Sequence, residues 1–192
     1  MGIVVNSTNL LKSILLEYLK CDKVRQTNKF FMKNIFNDYI QNFLNEYFST
    51  LSFKDKSKIT NISSDYFCAD KKNADLCSDL VLNGVKTASC SLKESYSHTE
   101  DELPVIGDLL IVTNWKSTPV CIVEFIEISE VKFLEVDELH AFKEGEGDRT
   151  LSWWRDVHID FFTNECEELG ITFDESMTLV LEYFKVVYPK LS

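Results

Sequence analysis

Gly84-Val85-Lys86-Thr87-Ala88-Ser89 is the stretch around which this chain of 192 residues is organised. It follows a helical pattern from Asn73 to Asn83, so Gly84 stands where a left-handed residue ends a helix. A strand is predicted to begin at Lys86. A second run, His140 to Asp148, combines two glycines with several acidic residues. Neither run has the character of a core segment, and we expect the two to meet in one pocket.

Lys86 and Ser89 could form a hydrolytic device. Residues three apart in a turn that leads into a strand can both reach one cavity, and an amine whose pKa is lowered by burial can act as base for a serine hydroxyl. The same spacing fits a surface lysine beside a strand serine, and spacing alone favours this plainer alternative. Both residues are therefore catalytic candidates whose role depends on how Gly84 aims them.

The acidic run allows three interpretations. Glu144, Glu146 and Asp148 lie close together in the chain, and such carboxylates repel one another unless water or cations compensate them. The run could be an exposed loop, a divalent-metal site of oxygen ligands, or a place where one carboxylate acts as acid or base beside a cation such as Arg149. The sequence leaves these alternatives open.

The helical pattern from Leu151 to Leu169 adds aromatic and cationic groups. Trp153 and Trp154 are adjacent, so one can enter the core while the other lines a surface or a pocket. With Arg155 and His158, this helix could stack a base and hold a phosphate or carbonyl group. The plainer alternatives are a core role for Trp154 and a structural role for His158.

The charge of the chain limits its partners. The formal net charge is −11 at pH 7, whereas proteins that bind a long phosphate track are usually basic. We therefore expect no extended DNA contact, and any nucleic-acid contact should be a nucleotide or a few, held by a focused site. No apolar run approaches the ~20 residues that span a bilayer, so no membrane association is expected. The cysteines form no CxxC pair and no secretory signal is recognisable, which indicates reduced thiols in a cytoplasmic or nuclear protein.

The N-terminal part is predicted to be helical. Apolar residues at helical spacing predict one helix over residues 9–19 and a long amphipathic helix from Phe30 to Leu51. The aromatic stripe of the second helix could pack on the main domain or dock a protein partner. Phe53 to Ser64 is polar and is typical of a connector. We therefore predict a helical extension over residues 1–52 and a main domain over residues 53–192.

The main domain is predicted to be α+β. Strand patterns recur over four segments, namely Lys86–Leu92, Leu109–Thr113, Pro119–Phe133 and Met177–Tyr188. Helical patterns cover Asn73–Asn83, Val136–Lys143 and Leu151–Leu169, and Lys93–Leu103 is predicted to be a charged loop. These elements predict a small mixed or antiparallel barrel with helices packed at its rim.

Five sequence blocks, in matching order, resemble the ASCH domain family. They are Gly84 to Ser89, Leu103-Pro104 with Gly107-Asp108, Pro119 to Glu124, His140 to Asp148, and Trp154-Arg155 with His158. The resemblance covers roughly residues 40 to 189. Residues 1 to about 39 lie outside it and look like an added helical piece.

The resemblance implies a small PUA-like β-barrel with flanking helices and a cleft, in a superfamily linked to RNA. It implies an RNA-associated protein, a single-strand ribonuclease helped by a divalent metal such as Mn or Mg, or an amidohydrolase that deacetylates acetylcytidine. In the amidohydrolase branch a Thr nucleophile, a Lys three residues before it and a Glu form the catalytic set. By motif these positions fall on Ser89, Lys86 and Glu144. Ser in place of Thr keeps the hydroxyl but loses the methyl group that fixes its rotamer.

The leading hypothesis is a hydrolase that binds short single-stranded RNA or a modified nucleoside in the cleft. The predicted catalytic residues are Lys86, Ser89 and Glu144. The predicted ligand-binding residues are Arg149, Trp153, Arg155 and His158. Glu146 and Asp148 are the predicted metal ligands. The only cofactor considered is a divalent metal such as Mn or Mg. The alternative is a non-catalytic RNA or nucleotide reader whose N-terminal helix docks a protein partner.

Overall fold

The computed structural model describes residues 36–68, 70–99 and 102–190. Its helices are α1 (Asp38–Thr50), α2 (Phe53–Lys56), α3 (Lys71–Leu82), α4 (Lys93–Thr99), α5 (Glu138–Glu144) and α6 (Leu151–Leu169). Its strands are β1 (Ile62–Asp65), β2 (Ala88–Leu92), β3 (Leu109–Thr113), β4 (Pro119–Lys132) and β5 (Thr178–Tyr188), with a 3-10 turn at Phe133–Glu135. The predicted α+β class is confirmed.

Local sequence explains where the helices begin and end. Helix α1 starts after Asn37, whose side chain accepts a hydrogen bond from the Ile40 amide at 2.9 Å. Helix α6 starts after Thr150, whose hydroxyl accepts from the Trp153 amide at 3.2 Å, and ends at Gly170 in the left-handed conformation. Such caps satisfy backbone groups that a helix end leaves unpaired. The bounds predicted for α6 are confirmed.

The strands form one mixed sheet with the order β1-β3-β4-β5-β2. β1 runs parallel to β3, whereas β3 pairs antiparallel with β4 and β2 pairs antiparallel with β5. The predicted barrel is wrong, because β1 and β2 are the two edges of an open sheet. β2 is only five residues long. Just before it, the Thr87 amide donates to the Lys143 carbonyl at the end of α5 at 2.8 Å, and the Thr87 carbonyl accepts from the Phe184 amide of β5 at 3.0 Å.

Two further predictions are wrong for local reasons. Lys93 to Thr99, predicted as loop, is helix α4, because its polar residues carry no apolar periodicity that the sequence could reveal. The predicted connector from Phe53 to Ser64 contains α2 and most of β1. β1 has the sequence Ile-Ser-Ser-Asp, with one apolar residue in four. Its partner β3 stabilises it, and its own sequence gives little strand signal.

The described chain divides into two compact units, and β4 and β5 contribute residues to both. The first comprises the described residues up to 79 together with 107–124 and 186–190. The core of this unit consists of apolar side chains from α1, β1, β3 and the start of β4, with Leu44 and Phe48 of α1 among them. The buried side of α1 therefore packs against the protein's own strands.

The remaining N-terminal predictions have limited outcomes. Of the predicted helix from Phe30 to Leu51, the described part is α1, and its aromatic stripe is largely covered by the first unit's core. The predicted helix over residues 9–19 lies outside the described residues. The boundary between residues 52 and 53 and the docking of a protein partner stay predictions.

The second unit comprises residues 80–106 and 125–185. Its core gathers side chains from β2, α6, β5 and the 3-10 turn. Trp154 and Phe162 lie one above the other on the buried face of α6 and contact Phe133 at ring-centroid distances of 5.3 and 6.3 Å. The core role considered for Trp154 is confirmed. Among the helices of the described residues, none has the length and apolar character required to cross a membrane.

We expect Leu44→Ala to lower the free energy of unfolding by about 2–5 kcal/mol, because Leu44 is 1% exposed and its truncation leaves a cavity in the first core. The matched control is Tyr39→Ala on the same helix, where the side chain is 73% exposed and the change should stay within about 0.5 kcal/mol. Urea denaturation measures both. Equal effects of the two substitutions would show that α1 is not part of this core.

Candidate functional site

Lys86 is a charged residue that lies inside the second unit. It is 2% exposed, and its Nζ donates to Oε2 of Glu144 at 2.8 Å and to Oε1 of Glu146 at 2.7 Å. Burying an amine costs free energy unless opposite charges and hydrogen bonds compensate it. Two carboxylates supply that compensation here. The two runs singled out in the sequence therefore meet, as predicted.

Gly145 allows this meeting. It ends α5 with φ of +75°, and a Cβ atom at this position would lie 2.6 Å from the carbonyl oxygen of Val85. Any other residue would both strain the backbone and push Val85 away. Gly147, with φ of +54°, likewise leaves room for the Trp153 indole, which occupies the place of a Cβ. The alternating Glu and Gly residues thus give carboxylates on a backbone that can approach the Lys86 turn.

Glu144 is the centre of the hydrogen-bond network. Its Oε1 accepts from His140 Nε2 at 3.0 Å and from Trp154 Nε1 at 2.9 Å, while Oε2 accepts from Lys86. His140 lies four residues earlier on α5, a spacing that places both side chains on one helix face. The other ring nitrogen of His140 lies 3.2 Å from the Tyr183 hydroxyl. Both carboxylate oxygens are therefore fixed in place.

The pKa of Glu144 lies well below its usual range. Burial alone would raise the pKa, but the Lys86 ammonium and the His140 hydrogen bond outweigh it. Glu144 is therefore a buried, permanently charged anchor near neutral pH. The catalytic role predicted for Glu144 stays a prediction.

His158 stacks on Trp154, with ring centroids 4.1 Å apart and an angle of 17° between the planes. Its Nδ1 lies 2.8 Å from the Trp154 carbonyl, which can only accept, so Nδ1 carries the proton. Burial lowers the pKa of His158. The neutral ring therefore turns the lone pair of Nε2 toward the network, 3.7 Å from Oε1 of Glu144.

The other ligand-binding candidates lie around this centre with different contacts. Arg149, at φ of +66°, donates to the Phe142 carbonyl and lies over the Phe142 ring, 3.8 Å from its centroid. Trp153 is half-buried beside Gly147. Arg155 donates to the carbonyls of Leu134, in the 3-10 turn, and of Val136, directly after it, which gives it a structural role. Ligand binding by these residues stays a prediction.

The two residues of the predicted metal pair bind different partners. Glu146 binds Lys86, whereas Oδ1 of the exposed Asp148 accepts from both the amide and the hydroxyl of Thr150. Cys90, Glu144 and His158 offer a thiol, a carboxylate and an imidazole within 4.8 Å of one another. Mg²⁺ and Mn²⁺ prefer oxygen ligands, and Lys86 already neutralises this carboxylate, so this donor set does not fit those ions. A metal role for Glu146 and Asp148 stays a prediction.

Ser89 lies on a different face of β2 from Cys90, because alternate residues of a strand point to opposite sides. The Cys90 thiol is in contact with Glu144. Ser89 is instead the direct cross-strand partner of Glu182 on β5. Its catalytic role stays a prediction, and its neighbour is a carboxylate that the sequence analysis did not consider.

Sequence reasoning missed four residues of this region, namely His140, Cys90, Tyr96 and Glu182. The spacing of His140 and Glu144 could have revealed that these two side chains interact, because residues four apart share a helix face. Cys90 and Glu182 approach the site only through the pairing of β2 with β5. A single sequence carries no signal for that register.

Comparison with known proteins places the chain in a family. A family model described as the ASCH domain matches residues 63–188. The chain is similar to the crystal structure of an ASCH domain from Lactobacillus crispatus JV V101, with 48% identity and a TM-score of 0.77 over 80% of this chain and 96% of that one. It is also similar to a solved protein of Enterococcus faecalis V583, with 27% identity and a TM-score of 0.65 over 81% and 89% of the two chains. A search of curated proteins finds no match.

The chain therefore belongs to the ASCH domain family, and the resemblance seen in its sequence blocks is confirmed. Its fold is PUA-like with an open sheet. The family is generally associated with RNA binding.

We expect Glu144→Gln to destabilise the protein by about 3–5 kcal/mol at pH 7, because one partner of a buried ion pair is lost. A carboxylate with a lowered pKa contributes its full stability above the unfolded pKa, and this contribution is lost as the pH falls through the folded pKa. The difference from wild type should therefore shrink toward pH 3. Denaturation midpoints from pH 7 to pH 3 measure it.

The control for this series is Glu175→Gln, an exposed carboxylate on the surface. It should change the free energy of unfolding by less than about 0.5 kcal/mol at every pH. A Glu144→Gln effect that stays constant over the whole pH range would contradict the lowered pKa.

Proposed function

We propose that this ASCH protein binds a short single-stranded RNA or a modified, acetylated nucleoside in its second unit and hydrolyses it. The observation that carries the proposal is the buried Lys86 held between Glu144 and Glu146. Buried charged clusters are costly to fold and are concentrated at functional sites. The plainer alternative is a structural ion pair, and the experiments below separate the two.

Lys86 is the group that would contact the ligand. An amine flanked by two carboxylates is favoured in its charged form. A charged ammonium can hold a phosphate or carbonyl oxygen and stabilise negative charge that develops there, but it cannot accept a proton. Of the two roles considered for Lys86, the oxygen contact is therefore the better supported.

The surrounding groups suit a small ligand with a base and one polar group. Trp153 is partly exposed, and Arg149 lies beside Phe142, so flat and cationic surfaces are available near α5 and α6. Stacking on aromatic rings is how proteins commonly hold unpaired bases. The net charge of −11 gives no broad cationic surface for a longer strand.

We expect Lys86→Met to reduce turnover of a short single-stranded RNA or of acetylcytidine at least about 100-fold, because the oxygen contact in the transition state is lost. Product formation is followed by chromatography. The matched control is Lys72→Met on the exposed surface of α3, which should keep wild-type turnover.

Stability must be measured beside activity, because Lys86→Met also leaves two carboxylates uncompensated and should cost about 3–5 kcal/mol. Lys86→Arg keeps the charge but changes its shape, and it should fold better while remaining impaired. Wild-type turnover by a folded Lys86→Met protein would contradict the catalytic role proposed for Lys86.

RNA length provides a separate test of binding. Affinity for labelled single strands should stop increasing beyond a few nucleotides, and its dependence on salt should correspond to about one or two phosphate contacts. Fluorescence anisotropy with strands of two to twelve nucleotides measures both. A steady gain over the whole series would contradict a focused site.

Binding without turnover of either substrate class would identify the protein as a non-catalytic reader. The absence of binding to every strand and nucleoside would contradict the proposed function as a whole.

A further inference from the structure

A second polar cluster lies on the β2–β5 pair in the second unit. Glu182 of β5 accepts hydrogen bonds through Oε1 from the hydroxyls of Ser91, at 3.1 Å, and Tyr96, at 3.2 Å. These two hydroxyls lie 2.7 Å from one another. Both hydroxyls therefore donate to the same carboxylate oxygen, and no donor among the described residues bonds to Oε2 of Glu182.

Ser89 shares this face. It pairs directly with Glu182 in the antiparallel register, and directly paired residues have Cβ atoms roughly 5 Å apart with both side chains on one side of the sheet. Ser91 lies two residues further along β2 and reaches Glu182 from the same face. Rotation about a single bond can therefore bring the Ser89 hydroxyl to the Oε2 atom.

We propose that Glu182 is the general base that activates Ser89 as a nucleophile toward an acyl group, with Ser91 and Tyr96 positioning its carboxylate. This inference rests on the proposed function, because it supplies the proton acceptor that the charged Lys86 cannot provide. In this proposal the base that activates Ser89 is the carboxylate of Glu182 on the neighbouring strand, in place of the Lys86 amine considered from the sequence.

The acyl-transfer step is balanced within these residues and water. Oε2 of Glu182 takes the hydroxyl proton of Ser89 while Oγ forms a bond to the carbonyl carbon of an acetylated amine. The carbon–nitrogen bond then breaks, and the Glu182 carboxyl returns the proton to the leaving nitrogen. Glu182 next takes a proton from water, whose oxygen bonds to the carbonyl carbon of the Ser89 ester, and the bond from that carbon to Oγ breaks to release acetic acid. The proton on Glu182 passes back to Oγ.

The surroundings of Glu182 suit proton transfer near neutral pH. Burial raises the pKa of Glu182 to about 7, against the hydrogen bonds from Ser91 and Tyr96, which lower it. The charge of Glu144 raises the same pKa and that of Lys86 lowers it, so both charges of the buried centre act on Glu182. A base is most effective when its pKa lies near the working pH.

The test uses 4-nitrophenyl acetate, which acylates an activated serine and needs no RNA. Peptide mass spectrometry should locate one acetyl group on Ser89 of the full-length protein, formed at a rate that rises as the pH increases through about 7. Glu182→Gln should slow this acylation at least about 100-fold. Ser89→Ala should abolish it.

Ser91→Ala separates a positioning role from a merely structural one. It removes a hydrogen bond that lowers the pKa of Glu182, so the midpoint of the rate profile should move to higher pH. Glu175→Gln and Ser97→Ala, both at exposed positions, are the matched controls and should keep the wild-type profile. Circular dichroism and thermal melting establish that each variant is folded.

Each result decides the proposal. Acetylation of another residue with none on Ser89, a wild-type rate in Glu182→Gln, or an unshifted midpoint in Ser91→Ala would overturn it. Acylation of Ser89 as expected, together with no binding of RNA or nucleosides, would refute the proposed function. It would still support Glu182 as the base that activates Ser89.

Discussion

The buried ion pair between Lys86 and Glu144 is the interaction on which the second unit depends. It joins the turn before β2 to the end of α5, and Glu144 extends it to His140 and to Trp154 in the core. Each of these groups would be costly to bury alone, and together they satisfy one another. Through Trp154, the same network is joined to the hydrophobic core of the unit.

The network requires a close approach of two backbones, which only glycine permits. Gly145 meets the carbonyl of Val85 where a side chain would collide with it, and its positive φ ends α5 directly after Glu144. Glu144 and Glu146 of the acidic run are therefore held against Lys86 and do not form a free loop. The first carboxylate of the run is an anchor, the second completes the compensation of Lys86, and Asp148 caps the turn before α6.

The division of chemical roles follows from charge. The Lys86 ammonium and the His140 hydrogen bond hold the pKa of Glu144 well below its usual range, so Glu144 stays ionised near neutral pH. Glu182 is less fully compensated, and its pKa is raised to about 7. Carboxylates with different surroundings can in this way serve as anchor and as proton carrier within one unit of the fold. Ser89 lies across from the second of these carboxylates.

The sequence by itself determined the α+β class, the bounds of α6, the family, and the meeting of Lys86 with the acidic run, because periodicity, capping residues and motif spacing are local properties. It could not determine the open sheet, the short strand β1, or which carboxylate faces Ser89. Those features depend on strand order and register, which pair Ser89 with Glu182 across 93 positions of the chain. Only the tertiary structure decided them, because the free energy that selects one register comes from burial and pairing between distant segments.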